Sequence, residues 1–120
     1  MFAFVDPDDS KNFFTFRVHH GGEFDERMEK YSGGSISFFD YVSLGELSLL
    51  DIDDIAVSLG YKLPMGYWIQ LPGYGMPFNI ACDKDLLWFG DKVPEDKVVD
   101  LYVERMEPLQ TIDGNEFIPS

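Results

Sequence analysis

Two adjacent histidines are the first side chains in this sequence whose chemistry suggests a site. His19 and His20 end an alternating apolar segment, and imidazole both binds zinc and titrates near neutral pH. Adjacent residues of a strand point to opposite faces, so the two rings are not placed to hold one ion. A strand-end pair with one imidazole hydrogen-bonded to a turn carbonyl is the simpler interpretation. A small metal-dependent enzyme that uses His19 or His20 with aspartates is kept as the alternative.

The aspartates and the single cysteine have ordinary structural interpretations. Asp51, Asp53 and Asp54 offer oxygen ligands for a divalent cation, but acids near the start of a helix are favoured by its dipole without any ligand. Cys82 has no third group to orient a nucleophile, so we expect a buried small hydrophobe. We therefore predict no catalytic, metal-binding or cofactor-binding residue, and no enzyme.

Two further acids and two aromatic residues are candidates for protein binding. Asp83 and Asp85 either cap a short helix or form an acidic spot that meets Lys or Arg of a partner, and the sequence favours neither. The chain has more large aromatic side chains than one small core absorbs. We therefore expect Trp68 and Tyr74 to contribute to a partly exposed, acidic and aromatic surface that binds protein.

Composition limits the class of partner. The 120 residues are 45% hydrophobic and 16% aromatic, which suits a single folded domain. They carry 22 acidic against 9 basic side chains, for a net charge of -13. This charge disfavours direct binding of nucleic acid and of anionic membranes, and favours a protein partner with a basic surface. An acidic mimic or inhibitor domain that occupies a basic site is a third possibility.

The same composition predicts the compartment. A single cysteine cannot form an internal disulfide, so we expect a reducing, intracellular environment. No apolar run approaches the roughly 20 residues that cross a bilayer.

The elements that position these residues follow from periodicity. Five segments alternate or are rich in aromatic and β-branched residues, and predict strands: residues 14–19, 35–42 with a bulge near 38–39, 67–71, 76–80 and 98–103. Pro77 places the fourth of them at a sheet edge. Two segments predict helices: a main one at about 48–60, capped by Ser48 and ended by Gly60, and a short one at about 83–90, capped by Asp83.

This order of elements predicts an α+β domain, with a mixed sheet of four to five strands and helices on one face. We assign residues 1–11 to an acidic N-terminal lead, 12–105 to the domain, and 106–120 to a tail or linker. The segment 23–30 is predicted as polar chain between the first two strands.

An ordered set of motifs resembles the PB1-like domain found at the N-terminus of many plant proteins related to Mutator-type transposases. The motifs lie at Phe14 to Phe24, Tyr31 to Gly34, Phe38 to Tyr41, Ser48 to Tyr61, Pro72-Gly73, Asp83 to Leu86 and Val98 to Glu104. The resemblance implies a ubiquitin-like β-grasp fold, a non-catalytic role in protein–protein association, and a nuclear setting.

The resemblance also implies where binding would occur. Typical PB1 domains pair front to back, with a basic residue on the first strand of one copy against an acidic loop-and-helix motif on the next. Arg17 matches the basic position, and Asp83 and Asp85 match the acidic side. Residues 72–80 contain no acid, where an acidic PB1 domain carries several. Pairing of this kind leaves a homo-oligomer open beside a heterologous partner.

Overall fold

The fold is a five-stranded mixed sheet with two helices on one face and a small hairpin on the other. A computed structural model describes residues 13–89 and 92–106. The elements are β1 (Phe13–His20), β2 (Glu23–Phe24), β3 (Tyr31–Ser32), β4 (Ser35–Ser43), α1 (Leu49–Ser58), β5 (Met65–Gln70), β6 (Phe78–Ile80), α2 (Asp83–Phe89) and β7 (Val98–Arg105). The predicted lead at 1–11 and the predicted tail beyond residue 106 lie outside the described residues.

The sheet order is β4-β1-β7-β5-β6, so the first and last strands lie side by side at its centre. β1 and β7 are parallel, and the remaining pairs are antiparallel. This mixed sheet with two helices confirms the predicted α+β class and is compatible with a ubiquitin-like β-grasp. β4 and β6 form the two edges, which confirms the edge position predicted for the fourth strand. That strand begins at Phe78, so Pro77 precedes it rather than lying within it.

The core lies between the sheet and the helices because one face of each strand is apolar. On β1 the fully buried residues are Phe14, Phe16 and Val18, which alternate with half-buried polar neighbours. β5 and β7 contribute their own alternate residues, and the helices contribute Ile52, Ala56, Leu86 and Phe89. Within the described residues, no helix is long and apolar enough to span a membrane.

Helix α1 begins and ends where its sequence predicts. The Ser48 hydroxyl accepts a hydrogen bond from the Asp51 N–H, and the Asp51 carboxylate accepts one from the Ser48 N–H, which forms a capping box. Gly60 follows the helix with a φ of 98°, in the left-handed region that favours glycine.

Two local predictions were wrong. The irregularity in the β1–β4 pairing falls between the partners of Phe14 and Phe16, at Asp40 and Tyr41 rather than at residues 38–39. Tyr41 has a φ of 61°, which is typical of a residue displaced by a bulge. The segment 23–30, predicted as polar chain, begins with β2 and is followed directly by β3. These two short strands pair with each other as a separate hairpin.

Candidate functional site

An ion pair connects the two central strands on the face of the sheet opposite the helices, which we call the outer face. The parallel register places Arg17 beside Asp100, and the guanidinium bonds both carboxylate oxygens, with Nε–Oδ1 at 2.6 Å and Nη2–Oδ2 at 3.0 Å. His19 Nε2 lies 2.8 Å from the same Oδ1. The candidate basic residue of β1 therefore already has an acidic partner within the chain.

The titration of Asp100 reflects this arrangement. Burial favours the neutral carboxyl, but hydrogen bonds from His19 and Arg17, together with the charge of Arg17, outweigh burial and lower the pKa to about 2. The hydrogen bond and charge of Asp100 in turn raise the pKa of Arg17. Both groups are therefore charged throughout the neutral range.

Aromatic rings cover the outer face beside this ion pair. His19 stacks on Tyr102 with ring centroids 4.2 Å apart, and Phe24 contacts both Tyr102 and Trp68, at 5.1 and 5.6 Å. The Tyr31 hydroxyl donates to the Val103 carbonyl at 2.8 Å, which fixes the β2–β3 hairpin to the sheet. The candidate Trp68 is thus half-buried beneath this hairpin.

His20 lies on the other face, among hydroxyl groups. Its Nδ1 is 2.8 Å from the Tyr61 hydroxyl and its Nε2 is 2.9 Å from Ser37 Oγ. The prediction of a turn carbonyl as the histidine's partner was therefore wrong for both rings, because side chains satisfy them. Burial, followed by the charge of His19, lowers the pKa of His20.

The two histidines thus diverge, as strand geometry predicts, and each contacts groups other than the helix aspartates. In the described ranges, no three His, Cys, Asp or Glu side chains come together as metal ligands.

The aspartates of α1 divide between capping and tertiary contacts. Asp53 accepts a short hydrogen bond from the Tyr67 hydroxyl, and Asp54 is exposed. Burial and this bond raise the pKa of Tyr67. Asp51, which is exposed and forms the capping box, and the exposed Asp54 therefore fit the predicted capped and solvated helix face, whereas Asp53 connects the helix to β5.

Asp83 and Asp85 bond to backbone outside their own helix. The Asp83 carboxylate accepts from the Leu49 N–H at 2.8 Å, and so satisfies a free amide at the start of α1. Asp85 accepts from the N–H groups of Ala81 and Cys82 at 2.7 and 3.1 Å. The prediction that Asp83 precedes and caps the short helix was therefore wrong: α2 starts at Asp83, and Asp85 binds the amides before it.

Cys82 is exposed, so the prediction of a buried cysteine was also wrong. It lies between the edge strand β6 and the first residue of α2. Its Sγ lies 3.7 Å from the Asp85 carboxylate.

Exposed apolar and acidic side chains lie on α2 and on the chain between β5 and β6. We call this set the α2 surface and define it by six residues: Tyr74, Met76, Asp83, Asp85, Leu87 and Trp88. Leu87 is 79% exposed, Met76 57% and Tyr74 45%. Trp88 supports Tyr74 edge to face at 5.6 Å and stacks on Phe78 at 4.1 Å. Large apolar side chains that remain exposed together are typical of protein-binding surfaces.

The structure therefore divides the five predicted site residues into two groups. Tyr74, Asp83 and Asp85 lie on the α2 surface, whereas Arg17 and Trp68 lie on the outer face, engaged with Asp100 and the hairpin. Leu87, the most exposed apolar member of the α2 surface, was missed. It belongs to four consecutive apolar residues of the short helix, and this run does not show which side chains are buried. Asp100 was also missed, although its place between Val99 and Leu101 put it on the face of β7 opposite the core.

Comparison with known proteins places the chain in a family. No curated protein gives a significant match. A model of the PB1-like domain, a family of protein-interaction modules, matches residues 10–105, which include every strand and helix described above. The chain therefore belongs to the PB1-like domain family.

Proposed function

We propose that this chain is a non-catalytic docking module that binds a basic protein partner through the α2 surface. The observation that carries the proposal is the family match across residues 10–105, because PB1-like domains are generally non-catalytic interaction modules. The α2 surface combines exposed apolar side chains with Asp83 and Asp85, and the Lys92 ammonium lies over its Trp88 ring, 4.6 Å from the ring centroid.

The composition of the α2 surface suits a partner that is both apolar and basic. Leu87 follows Asp83 by four residues, so the two share one side of the helix. A partner could bury Leu87 and Tyr74 while its Lys or Arg side chains meet Asp83. The first turn of α2 contains one basic residue, Lys84, between the two aspartates. At low salt, the net charge of -13 also attracts basic proteins over longer distances.

A heterologous partner suits this chain better than a second copy. Two copies each carry a charge of -13 and repel. Front-to-back pairing through Arg17 would also have to compete with Asp100, which already holds the guanidinium at two points. We therefore place docking on the acidic side and assign Arg17 to the stability of the sheet.

The wider setting is proposed from the family resemblance. We propose that the domain functions inside the cell, in the nucleus or the cytoplasm, as part of a plant protein related to Mutator-type transposases or as an adaptor derived from one. The unpaired, exposed Cys82 supports a reducing compartment.

A matched pair of variants tests the α2 surface. Leu87→Lys adds charge and removes the most exposed apolar side chain of the α2 surface, whereas Val57→Lys makes the same kind of change at a 53% exposed position of α1. The wild type and both variants are immobilised and incubated with a cell extract. Quantitative mass spectrometry then identifies proteins that the wild type and Val57→Lys retain but Leu87→Lys does not. Affinity is then measured by calorimetry with each purified partner, at low and high salt.

We expect a basic partner whose affinity falls at least about tenfold with Leu87→Lys, and which binds more tightly at low salt. Circular dichroism must show that both variants are folded. Equal binding by the two variants would refute the proposal. Equal binding that is also strongly salt-dependent would instead favour an acidic mimic that acts through its net charge.

A further inference from the structure

One side of the edge strand β4 pairs with no strand in the part of the chain that the structure describes. Among residues 13–89 and 92–106, β4 pairs with β1 alone. The bonding direction on β1 is known, because the Thr15 N–H donates to the Lys97 carbonyl at 2.8 Å, towards β7. Backbone groups alternate in direction along a strand, so odd-numbered residues of β1 face β7 and even-numbered residues face β4.

This alternation determines which backbone amides of β4 form no hydrogen bond to β1. Ser35, Ser37 and Phe39 lie opposite the even-numbered His20, Val18 and Phe16, and direct their backbone groups to β1. Ile36 and Phe38 alternate with these three residues and direct their N–H and C=O groups outward. An edge with outward amides is a template for an added strand.

The side chains at the same two positions are apolar and exposed. Ile36 is 54% exposed and Phe38 is 61% exposed, and both lie on the outer face, opposite His19 and Arg17 in the register. Natural edge strands are commonly protected by charged residues, and these positions have none. An added strand would place its own alternate side chains beside Ile36 and Phe38.

Beyond the bulge, the same edge borders a groove of negative charge. The groove has a volume of about 330 Å³ and lies between the end of β4 and the start of α1. Three of its nine lining residues are acidic: Asp40, Glu46 and Asp51. None of the nine is basic, so a segment that continues along β4 meets carboxylates after the two apolar positions.

From these observations we propose that β4 binds an extended segment of a partner protein as a sixth strand, with alternate apolar residues beside Ile36 and Phe38 and Lys or Arg in the acidic groove. A second copy of β4 would bring the same carboxylates together, so charge complementarity selects a basic segment. This binding mode goes beyond the proposed function, since β4 and the α2 surface lie at opposite edges of the sheet.

A synthetic peptide serves as the probe. Acetyl-Lys-Lys-Thr-Val-Thr-Val-Thr-Lys-Lys-amide has two alternate valines for the apolar positions, and lysines at both ends so that it fits in either direction. Two further peptides carry N-methyl groups, one on the two valines and one on the second and third threonines, which follow the valines. Within a strand these two sets of N–H groups point to opposite sides.

Strand addition therefore predicts an asymmetric result. One methylated peptide should bind at least about tenfold more weakly than the parent, and the other should bind about equally well. Loss with the valine set indicates antiparallel addition, and loss with the threonine set indicates parallel addition, because residues opposite each other exchange bonds only in antiparallel pairs. Equal affinities of the two methylated peptides, or no binding of the parent peptide, would overturn the proposal.

Hydrogen exchange and a charge-matched pair of variants test the location. Peptide should slow exchange of the Ile36 and Phe38 amides, with little change at Ser37, which is already bonded to β1. Glu46→Lys should weaken binding severalfold, whereas Glu26→Lys, an exposed acid in the β2–β3 turn, should change it less than twofold. Protection elsewhere, or equal effects of the two variants, would refute this site. Leu87→Lys should leave peptide binding unchanged, so failure here is distinguishable from failure at the α2 surface.

Discussion

The bonding of Asp100 predicts that this single carboxylate makes stability depend on pH in acid. Asp100→Asn keeps the size of the side chain but removes the charge that binds Arg17 and His19. The pKa of Asp100 is lowered from 3.8 to about 2, which corresponds to about 2 kcal/mol of stabilisation at neutral pH. The Arg17 side chain is 42% exposed, so solvent screening reduces the expected effect to about 1 to 2 kcal/mol.

The sign follows from the direction of the shift. Because the folded-state pKa is lowered, the stabilisation is fully present above the unfolded-state pKa of 3.8 and is lost as the pH falls towards 2. The wild type should therefore exceed Asp100→Asn by about 1 to 2 kcal/mol at pH 7, and the difference should shrink to a few tenths of a kcal/mol at about pH 2.

Urea unfolding followed by tryptophan fluorescence measures this difference at each pH. Other carboxylates titrate in both proteins, so their contributions cancel in the comparison. Asp54→Asn is the control, since Asp54 is exposed and its replacement should change the free energy of unfolding by less than about 0.5 kcal/mol. A wild-type advantage that stays constant between about pH 6 and 2 would refute the assignment to ionised Asp100.

Three further predictions test the local structure. Ser48→Ala should lower the free energy of unfolding by about 1 kcal/mol in urea titrations, because it removes half of the capping box. Gly34→Ala should lower the free energy of unfolding by at least about 2 kcal/mol, because Gly34 has a φ of 82° and an added Cβ would overlap the His20 carbonyl oxygen. Gly75→Ala should lower it much less, because a Cβ at Gly75 would meet open space. Cys82 should react with a thiol reagent such as dithionitrobenzoate as fast in the native protein as in urea, and slow native reaction would contradict its exposure.

The elements predicted correctly are those whose patterns are local. Alternation along β1 and β7 and the three- and four-residue spacing of α1 each identify a buried face without information from distant residues. The caps of α1 are equally local, since Ser48 bonds to Asp51, three residues away, and Gly60 ends the helix through its own backbone conformation. The five strands of the main sheet, the main helix and the α+β class therefore follow from the sequence.

The features that were missed depend on residues far apart in the chain. The Arg17–Asp100 bond joins positions 83 residues apart and requires the parallel register of β1 and β7, which alternation alone does not specify. The β2–β3 hairpin is equally non-local, because Tyr31 bonds to Val103 and Phe24 bonds through its N–H to Glu104. A two-residue strand with one apolar side chain is too short to show the alternation that identifies a strand in a sequence.

The candidate site was predicted in part for the same reason. Tyr74, Asp83 and Asp85 lie together because β6 leads directly into α2, which chain order already indicates. Trp68 and Arg17 belong to the outer face, and only the packed hairpin and the Asp100 carboxylate show that their side chains are engaged within the chain.

The internal bonds of the outer face explain why binding is proposed at both edges of the sheet. A basic residue on the first strand can recruit an acidic partner only if its charge is available. In this chain, Asp100 neutralises Arg17 at the centre of the sheet, and the hairpin aromatics cover the neighbouring rings. Of the ten exposed large apolar side chains among the described residues, six lie instead on β4 or on the α2 surface beside β6. Carboxylates accompany them at both edges, so each edge offers a basic partner the combination of apolar contact and negative charge that the centre lacks.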